Sequence, residues 1–188
     1  IAYVKEIAGV KANKIDYREI NKNNVRCPDK NAAKKMERAI LKAKNEGNSV
    51  GGVCEITAFN VPAGLGKPIY NKLEADLGSA ILGINAVKGI EFGIGFELAR
   101  MKGSQSNDEF IVKNNKIVTK TNHHGGILGG ISTGMPIVMR AVVKPASSIL
   151  KKQRTINHKT MKQETISVEG RHDPATIVRF PPIAEGMM

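Results

Sequence analysis

The 188-residue sequence has no tryptophan, and aromatic residues make up only 4% of it. A surface that stacks bases or sugars on rings is poorly served by that composition. Its two cysteines, Cys27 and Cys54, lie far apart without CxxC spacing, which excludes a zinc ribbon and a disulfide framework and fits a reducing compartment. No apolar run approaches the roughly 20 residues that span a bilayer. Residues 1–10 carry Lys5 and Glu6 where a signal peptide needs an apolar stretch, so a soluble, cytoplasmic chain is expected. Acidic residues are also scarce: 17 Asp and Glu face 29 Lys and Arg, a formal charge of +12. That surplus asks for an anionic partner, of which nucleic acid is one kind. What the chain does have is 41% hydrophobic residues, enough to bury a core, which excludes a disordered or collagen-like polymer.

This length suits one compact domain. The first residue is Ile1 rather than Met, and Met188 falls in what reads as the opening of a helix. The expectation is a single partial domain over residues 1–188, a piece of a longer chain.

Pro28, an acidic starter at Asp29, apolar recurrence at Ala32, Ala33, Met36, Ala39, Ile40 and Ala43, and a stop at Gly47 predict a helix over 29–46. Its other face carries Lys30, Lys34, Lys35, Arg38, Lys42 and Lys44, a stripe that could meet nucleic acid. Glu37 and Glu46 interrupt it and no aromatic accompanies it, so a solvated face accounts for it better. β-branched residues predict a strand over 50–61, with Gly51-Gly52 as a bulge or close approach. A turn is expected at 61–66 and a second helix at 70–84, where Gly78 and Gly83 point to close packing of another backbone. Residues 87–96 form a short, glycine-broken segment, and 103–108 read as a mobile polar loop. A strand over 137–143 ends before Pro145, a further strand is expected at 165–168, and 170–174 is a tight turn. Strands and helices mix without strict βαβ alternation or a fixed repeat, so the fold class is α+β rather than a doubly wound sheet.

Three tracts hold groups that could do chemistry. The glycine tract 125–134 contains neither GxGxxG nor GxxxxGK[ST], which removes the Rossmann and P-loop readings. Its two glycine pairs still allow close approach of a ligand or a second backbone, and packing is the commoner use. Lys144-Pro145-Ala146-Ser147-Ser148 supplies a cation, fixed geometry and hydroxyl donors, which suits a phosphate or polyhydroxyl chain as well as it suits a plain strand exit. Arg171-His172-Asp173-Pro174 groups a guanidinium, an imidazole and a carboxylate, able to clasp an anion or move a proton, or to form a local surface pair. His123 and His124 would point to opposite faces of a strand, and none of the four histidines has metal-ligand spacing, so no metal is expected.

Taken in order, Pro62-Ala63-Gly64-Leu65-Gly66, Ile84-Asn85-Ala86-Val87-Lys88-Gly89-Ile90-Glu91, Gly103-Ser104 with Asn107-Asp108, the tract 125–132, Lys144-Pro145-Ala146-Ser147-Ser148 and Arg171-His172-Asp173-Pro174 closely resemble chorismate synthases. The resemblance covers nearly the whole chain but only the middle and later part of that family's sequence. It implies a β-α-β sandwich, incomplete here, and a homotetramer in the full-length protein. It implies a lyase of the shikimate pathway, which forms chorismate from 5-enolpyruvylshikimate 3-phosphate by 1,4-anti elimination of phosphate and requires reduced FMN. Whether the enzyme reduces its own flavin with NADPH is left open by the sequence.

Carried over by motif, Asn85, Ala86 and Gly129 fall on flavin-contacting positions, as do Lys144, Pro145, Ala146, Ser147 and Ser148. Arg171 matches an arginine near flavin and substrate, and Asp173 an aspartate proposed to assist proton transfer at the flavin. His172 is read as structural support. Ala146 stands where the family commonly has Thr, and Ala175 where Cys is frequent. The family's amino-terminal segment, with its two catalytic histidines, is not matched by these residues, so the 188 residues alone are expected to be inactive. The competing expectation is a basic nucleic-acid-binding module.

Overall fold

Asp29 starts the first long helix. Its Oδ1 accepts the N–H groups of Asn31 at 2.9 Å and Ala32 at 3.1 Å, two donors that the first helical turn cannot otherwise satisfy. Its Oδ2 accepts those of Asn13 and Lys14 at 3.1 and 3.2 Å. The Ala32 N–H, aided by the other three and opposed by burial, holds this carboxyl below the usual carboxylate range. Helix α1 is therefore Lys30–Asn45, with Asp29 and Glu46 as its caps, and it buries Ala32, Ala33, Met36 and Ala43.

The computed structural model describes residues 1–188. Ahead of α1 lie strands β1 (Ala2–Ile7) and β2 (Val10–Lys11) and a 3-10 turn, Tyr17–Lys22; after it come β3 (Gly52–Ala58), α2 (Leu73–Leu82) and β4 (Val87–Phe92). The middle of the chain holds a 3-10 turn (Gly95–Arg100), α3 (Gly103–Ser106), β5 (Phe110–Lys113), β6 (Lys116–Thr119), β7 (Ile127–Leu128) and β8 (Ile131–Ser132). Strands β9 (Ile137–Val143), β10 (Gln153–Asn157) and β11 (Lys162–Ile166), a 3-10 turn (Thr176–Arg179) and α4 (Phe180–Met187) complete it. A five-stranded sheet has the order β2-β1-β3-β9-β4, and β5-β6, β7-β8 and β10-β11 are two-stranded ribbons. This is an α+β arrangement, as expected. No helix is long and apolar enough to cross a membrane.

The chain divides into two compact units, each discontinuous in sequence: one comprises Ile1–Tyr3, Cys54–Val142 and Pro181–Met188, the other Val4–Val53 and Val143–Phe180. Charge is divided unevenly between them. The second unit holds 20 of the Lys and Arg against 9 Asp and Glu, the first 9 against 8, so the second carries 11 of the 12 surplus charges.

In the first unit β9 alternates: Ile137, Met139 and Ala141 are buried while Arg140 faces the other way. There its Nε meets Glu55 Oε2 of β3 at 3.0 Å, Nη1 meets Glu91 Oε1 of β4 at 2.5 Å, and Nη2 donates to the Gly93 carbonyl at 2.6 Å. The Tyr3 hydroxyl donates to the other oxygen of Glu55. Gly78 of α2 makes room for a side chain rather than the expected backbone, since a Cβ there would lie 2.8 Å from Ile90 Cδ1. The segment 103–108 is also not the loop expected. Gln105 accepts the Lys102 N–H at 2.9 Å and the Ser106 hydroxyl donates to the Gly103 carbonyl at 3.2 Å, so its polar side chains close a short helical turn. Asp108 is buried.

In the second unit the strand expected at 165–168 lies earlier, as β11, paired antiparallel with β10 in the register Arg154↔Thr165 and Asn157↔Lys162. Cys27 in this unit and Cys54 in the other are both buried, which pushes both thiols up and makes them packing groups.

Candidate functional site

Pro145 has no N–H to donate, and β9 stops at Val143. The chain leaving it is fastened to the turn after α1. The Ser49 hydroxyl donates to the Ala146 carbonyl at 2.6 Å, and the Gly47 carbonyl accepts the N–H groups of Leu150 and Lys151 at 3.1 and 3.3 Å. Within the loop the Lys144 ammonium donates to the Ser147 hydroxyl at 3.1 Å, and Gln153 Nε2 donates to the Ser147 carbonyl at 3.1 Å. Gly51 permits this closeness, because a Cβ there would lie 2.5 Å from the Val143 carbonyl and 2.9 Å from the Pro145 ring.

One residue before Gly51, the Val50 N–H donates to the Pro174 carbonyl at 2.8 Å, which brings in the turn 170–174. There the Asp173 carboxylate has both oxygens engaged: Oδ1 accepts the Ala175 N–H at 3.0 Å, and Oδ2 lies 3.1 Å from Arg179 Nε. His172 Nε2 lies 3.1 Å from the Val168 carbonyl, which can only accept, so this ring ties the turn to the chain before it. Arg171 is exposed.

These segments enclose a cavity of about 260 Å³, lined by Ser148 and Leu150, by Arg171 and Asp173, and by Lys44 and Asn48 among others. Of the site residues expected from sequence, Ser148, Arg171 and Asp173 line it; Lys144, Pro145, Ala146 and Ser147 form the loop leading to it. Lys44, Asn48 and Ser49 were not expected. The stop at Gly47 was legible, but nothing local reveals that the Gly47 carbonyl pairs with residues 150 and 151.

The remaining three expected residues belong to the first unit. Asn85 is exposed in the turn between α2 and β4, beside Ala86, which has φ 73°. A non-glycine residue in that left-handed region is uncommon and stores strain, as binding turns often do. The glycine tract separates into two kinds of position. A Cβ on Gly125 would meet the Gly93 nitrogen and lie 2.6 Å from the Val138 carbonyl, whereas one on Gly129, also at positive φ, would meet nothing within 4 Å. Packing explains the first glycine, and open space beside an exposed backbone remains at the second.

The tract begins in a turn, not in the expected strand, so His123 and His124 do not alternate across a sheet. Both of their N–H groups donate to Asp108, to Oδ1 at 2.8 Å and to Oδ2 at 3.0 Å, and the Thr121 hydroxyl donates to Oδ1 at 2.6 Å. Burial pushes this carboxyl up, but the three donors together outweigh it and hold it below the usual range. No group of three or more His, Cys, Asp and Glu side chains is placed to hold a metal ion.

The donor set fits the phosphorylated flavin that the resemblance implies. The cavity offers a guanidinium, an ammonium, an amide and a hydroxyl, which suits a phosphate and a polyol chain. Its size falls just short of the usual 300–1,000 Å³ for whole ligands, so it suits part of a flavin mononucleotide.

A family model described as chorismate synthase matches residues 1–188. The chain is 50% identical over 192 residues to the chorismate synthase of Methanococcoides burtonii, covering all of this chain and 52% of that protein. It is 48% identical over 188 residues to that of Pyrococcus abyssi, with 100% and 53% covered. It is 54% identical over 170 residues to that of Methanocaldococcus jannaschii, with 90% and 45% covered. A crystal structure of chorismate synthase superposes with a TM-score of 0.79 at 27% identity, covering 99% of this chain and 53% of that one. The chain thus spans about half the length of the curated relatives it matches.

Proposed function

The chain belongs to the chorismate synthase family, and from that premise we propose that it forms the flavin-binding part of a lyase that makes chorismate. In the reaction the carbon–oxygen bond of 5-enolpyruvylshikimate 3-phosphate to phosphate breaks and a ring proton leaves from the opposite face, forming one new double bond with no net redox change. Reduced FMN, when bound, supplies electron density as phosphate departs and a place for the proton.

The residues of this chain bind and orient. Ser148 and the loop from Lys144 to Ser147 take flavin oxygens by hydroxyl, ammonium and backbone donors; Asn85, Ala86 and Gly129 are flavin-contacting positions by the family resemblance. Arg171, exposed at its cavity, clasps a phosphate or carboxylate with two parallel bonds. Asp173 holds or relays a proton, its carboxylate kept in place by the Ala175 N–H and Arg179. The observation that carries this reading is that Ser148, Arg171 and Asp173, from two separate motifs, line one cavity.

The full-length protein is a cytoplasmic homotetramer, and the 188 residues alone are inactive, since acid–base groups contribute about 10²–10⁴-fold each and the family's two catalytic histidines are unmatched here. Anaerobic titration with reduced FMN, with and without an amino-terminal segment supplied from a relative, tests the reading. Binding that Arg171→Ala and Lys144→Ala both weaken supports it. Failure to bind FMN even with that segment present sinks it, and chorismate formed by the 188 residues at an ordinary enzymatic rate sinks the claim of inactivity.

A further inference from the structure

Asp108 is 4% exposed. A carboxylate so buried persists only where donors satisfy it, and here all three are in the short segment after β6: the Thr121 hydroxyl at 2.6 Å and the N–H groups of His123 and His124 at 2.8 and 3.0 Å. Residues 123–126 form a turn, so no strand ladder serves those two N–H groups. The turn is the root of the β7–β8 hairpin. From it the Gly125 carbonyl accepts the Val138 N–H of β9 at 3.2 Å, and the Gly126 carbonyl accepts the Thr133 N–H at 2.9 Å. Two further anchors lie beyond that turn. At the closing strand Ser132, paired with Ile127, donates its hydroxyl to the Pro62 carbonyl at 2.6 Å and accepts the Leu65 N–H at 2.9 Å, and at the tip the Gly130 carbonyl accepts the Leu73 N–H at 2.9 Å. Between these anchors lies Gly129, the position with open space.

We propose that Asp108 is a positioning residue for the ligand-facing glycine turn: its carboxylate fixes the root of the hairpin that presents Gly129. It acts through the turn and not on a ligand, because both of its oxygens are taken by protein donors. The proposal rests on the reading of Gly129 as a flavin contact. Three donors converge on the carboxylate, so an amide in its place turns an NH₂ group toward at least one of them.

The test compares the native 188-residue chain with Asp108→Asn, Gly129→Val and, as a control of core packing, Ile56→Val, each with the amino-terminal segment of a relative supplied. Readouts are amide hydrogen exchange at residues 123–130, thermal midpoint and FMN affinity. Asp108→Asn is expected to raise exchange at His123, His124 and Gly129 and to weaken FMN binding by about tenfold, the scale of one lost charge-assisted hydrogen bond. Ile56→Val is expected to lower the midpoint without changing FMN affinity. If Gly129→Val weakens FMN and Asp108→Asn does not, the role of Asp108 is overturned while the flavin reading stands. If Gly129→Val binds FMN as the native chain does, or the native chain binds none even with the amino-terminal segment of a relative supplied, the flavin reading of this turn falls. Then increased exchange in Asp108→Asn reports only a structural clamp, and the positioning role is overturned with its premise. Should Asp108→Asn not fold, Thr121→Val removes one donor and keeps the carboxylate; unchanged exchange and affinity in that variant overturn the proposal.

Discussion

The Ser49 hydroxyl donates to the Ala146 carbonyl at 2.6 Å, so a side chain just beyond α1 sets the backbone at the centre of the lysine–proline loop. Ser49→Ala removes that bond, worth about 1 kcal/mol, and frees the loop at the point where flavin contacts are proposed. FMN affinity should fall several-fold with an unchanged far-ultraviolet circular dichroism spectrum. A titration identical to that of the native chain would show that the loop does not depend on Ser49.

Gly125 and Gly129 should respond differently to the same substitution. Both have positive φ, 68° and 59°, so alanine costs about 1–2 kcal/mol of backbone strain at either. At Gly125 the added methyl group also meets the backbone of Gly93 and Val138, which cannot yield without moving β4 or β9. Gly125→Ala is expected to lose several kcal/mol in urea unfolding. Gly129→Ala should lose only the strain term and report its main effect in FMN binding.

Acid should destabilise the chain through Asp29 and Asp108. Both carboxyls titrate lower in the folded protein than in the unfolded chain, so the unfolded chain takes up protons first as pH falls. Their contribution is complete above the unfolded value near 4 and is lost as pH drops through the folded values. Urea midpoints measured from pH 7 to pH 3 should fall over that lower range, and Asp108→Asn should cost more at pH 7 than at pH 3. Equal costs at the two pH values would remove Asp108 from the acid response.

Arg140→Ala leaves the carboxylates of Glu55 and Glu91 facing each other without their common cation. Breaking a buried pair costs about 3–5 kcal/mol; the Arg140 side chain is 27% exposed, so about 2–4 kcal/mol is expected. Differential scanning fluorimetry should show a lower midpoint. A Glu91→Gln change added to Arg140→Ala should recover part of the loss.

How far the sequence is readable depends on whether the deciding contacts are local. The bounds of β9 follow from alternation and Pro145, and those of α1 from its caps, all written within a few residues. β1 shows no clean alternation, because Ala2, Tyr3 and Val4 are buried in succession. β11 is exposed throughout and β10 is at most half-buried, and both are largely polar, so no apolar pattern marks them. At the candidate site the motif residues are visible by resemblance, but the turn that brings Lys44, Asn48 and Ser49 to the cavity is tied by the Gly47 carbonyl and the Ser49 hydroxyl to residues about a hundred positions away. Asp108 lies in a stretch that composition alone marks as loop; its burial depends on donors from residues 121–124.

Neither compact unit is a continuous stretch of chain, and this constrains how the protein comes into being. The unit that begins at Val4 waits for Val143–Phe180, and the other waits for Pro181–Met188, whose Glu185 accepts the Ala2 N–H across 183 residues. During synthesis the early strands must therefore remain unfinished until residues 181–188 have left the ribosome, and folding is dominated by distant pairings that form slowly. A protease that cuts one loop in the finished protein releases neither unit, because each is held by segments on both sides of the cut.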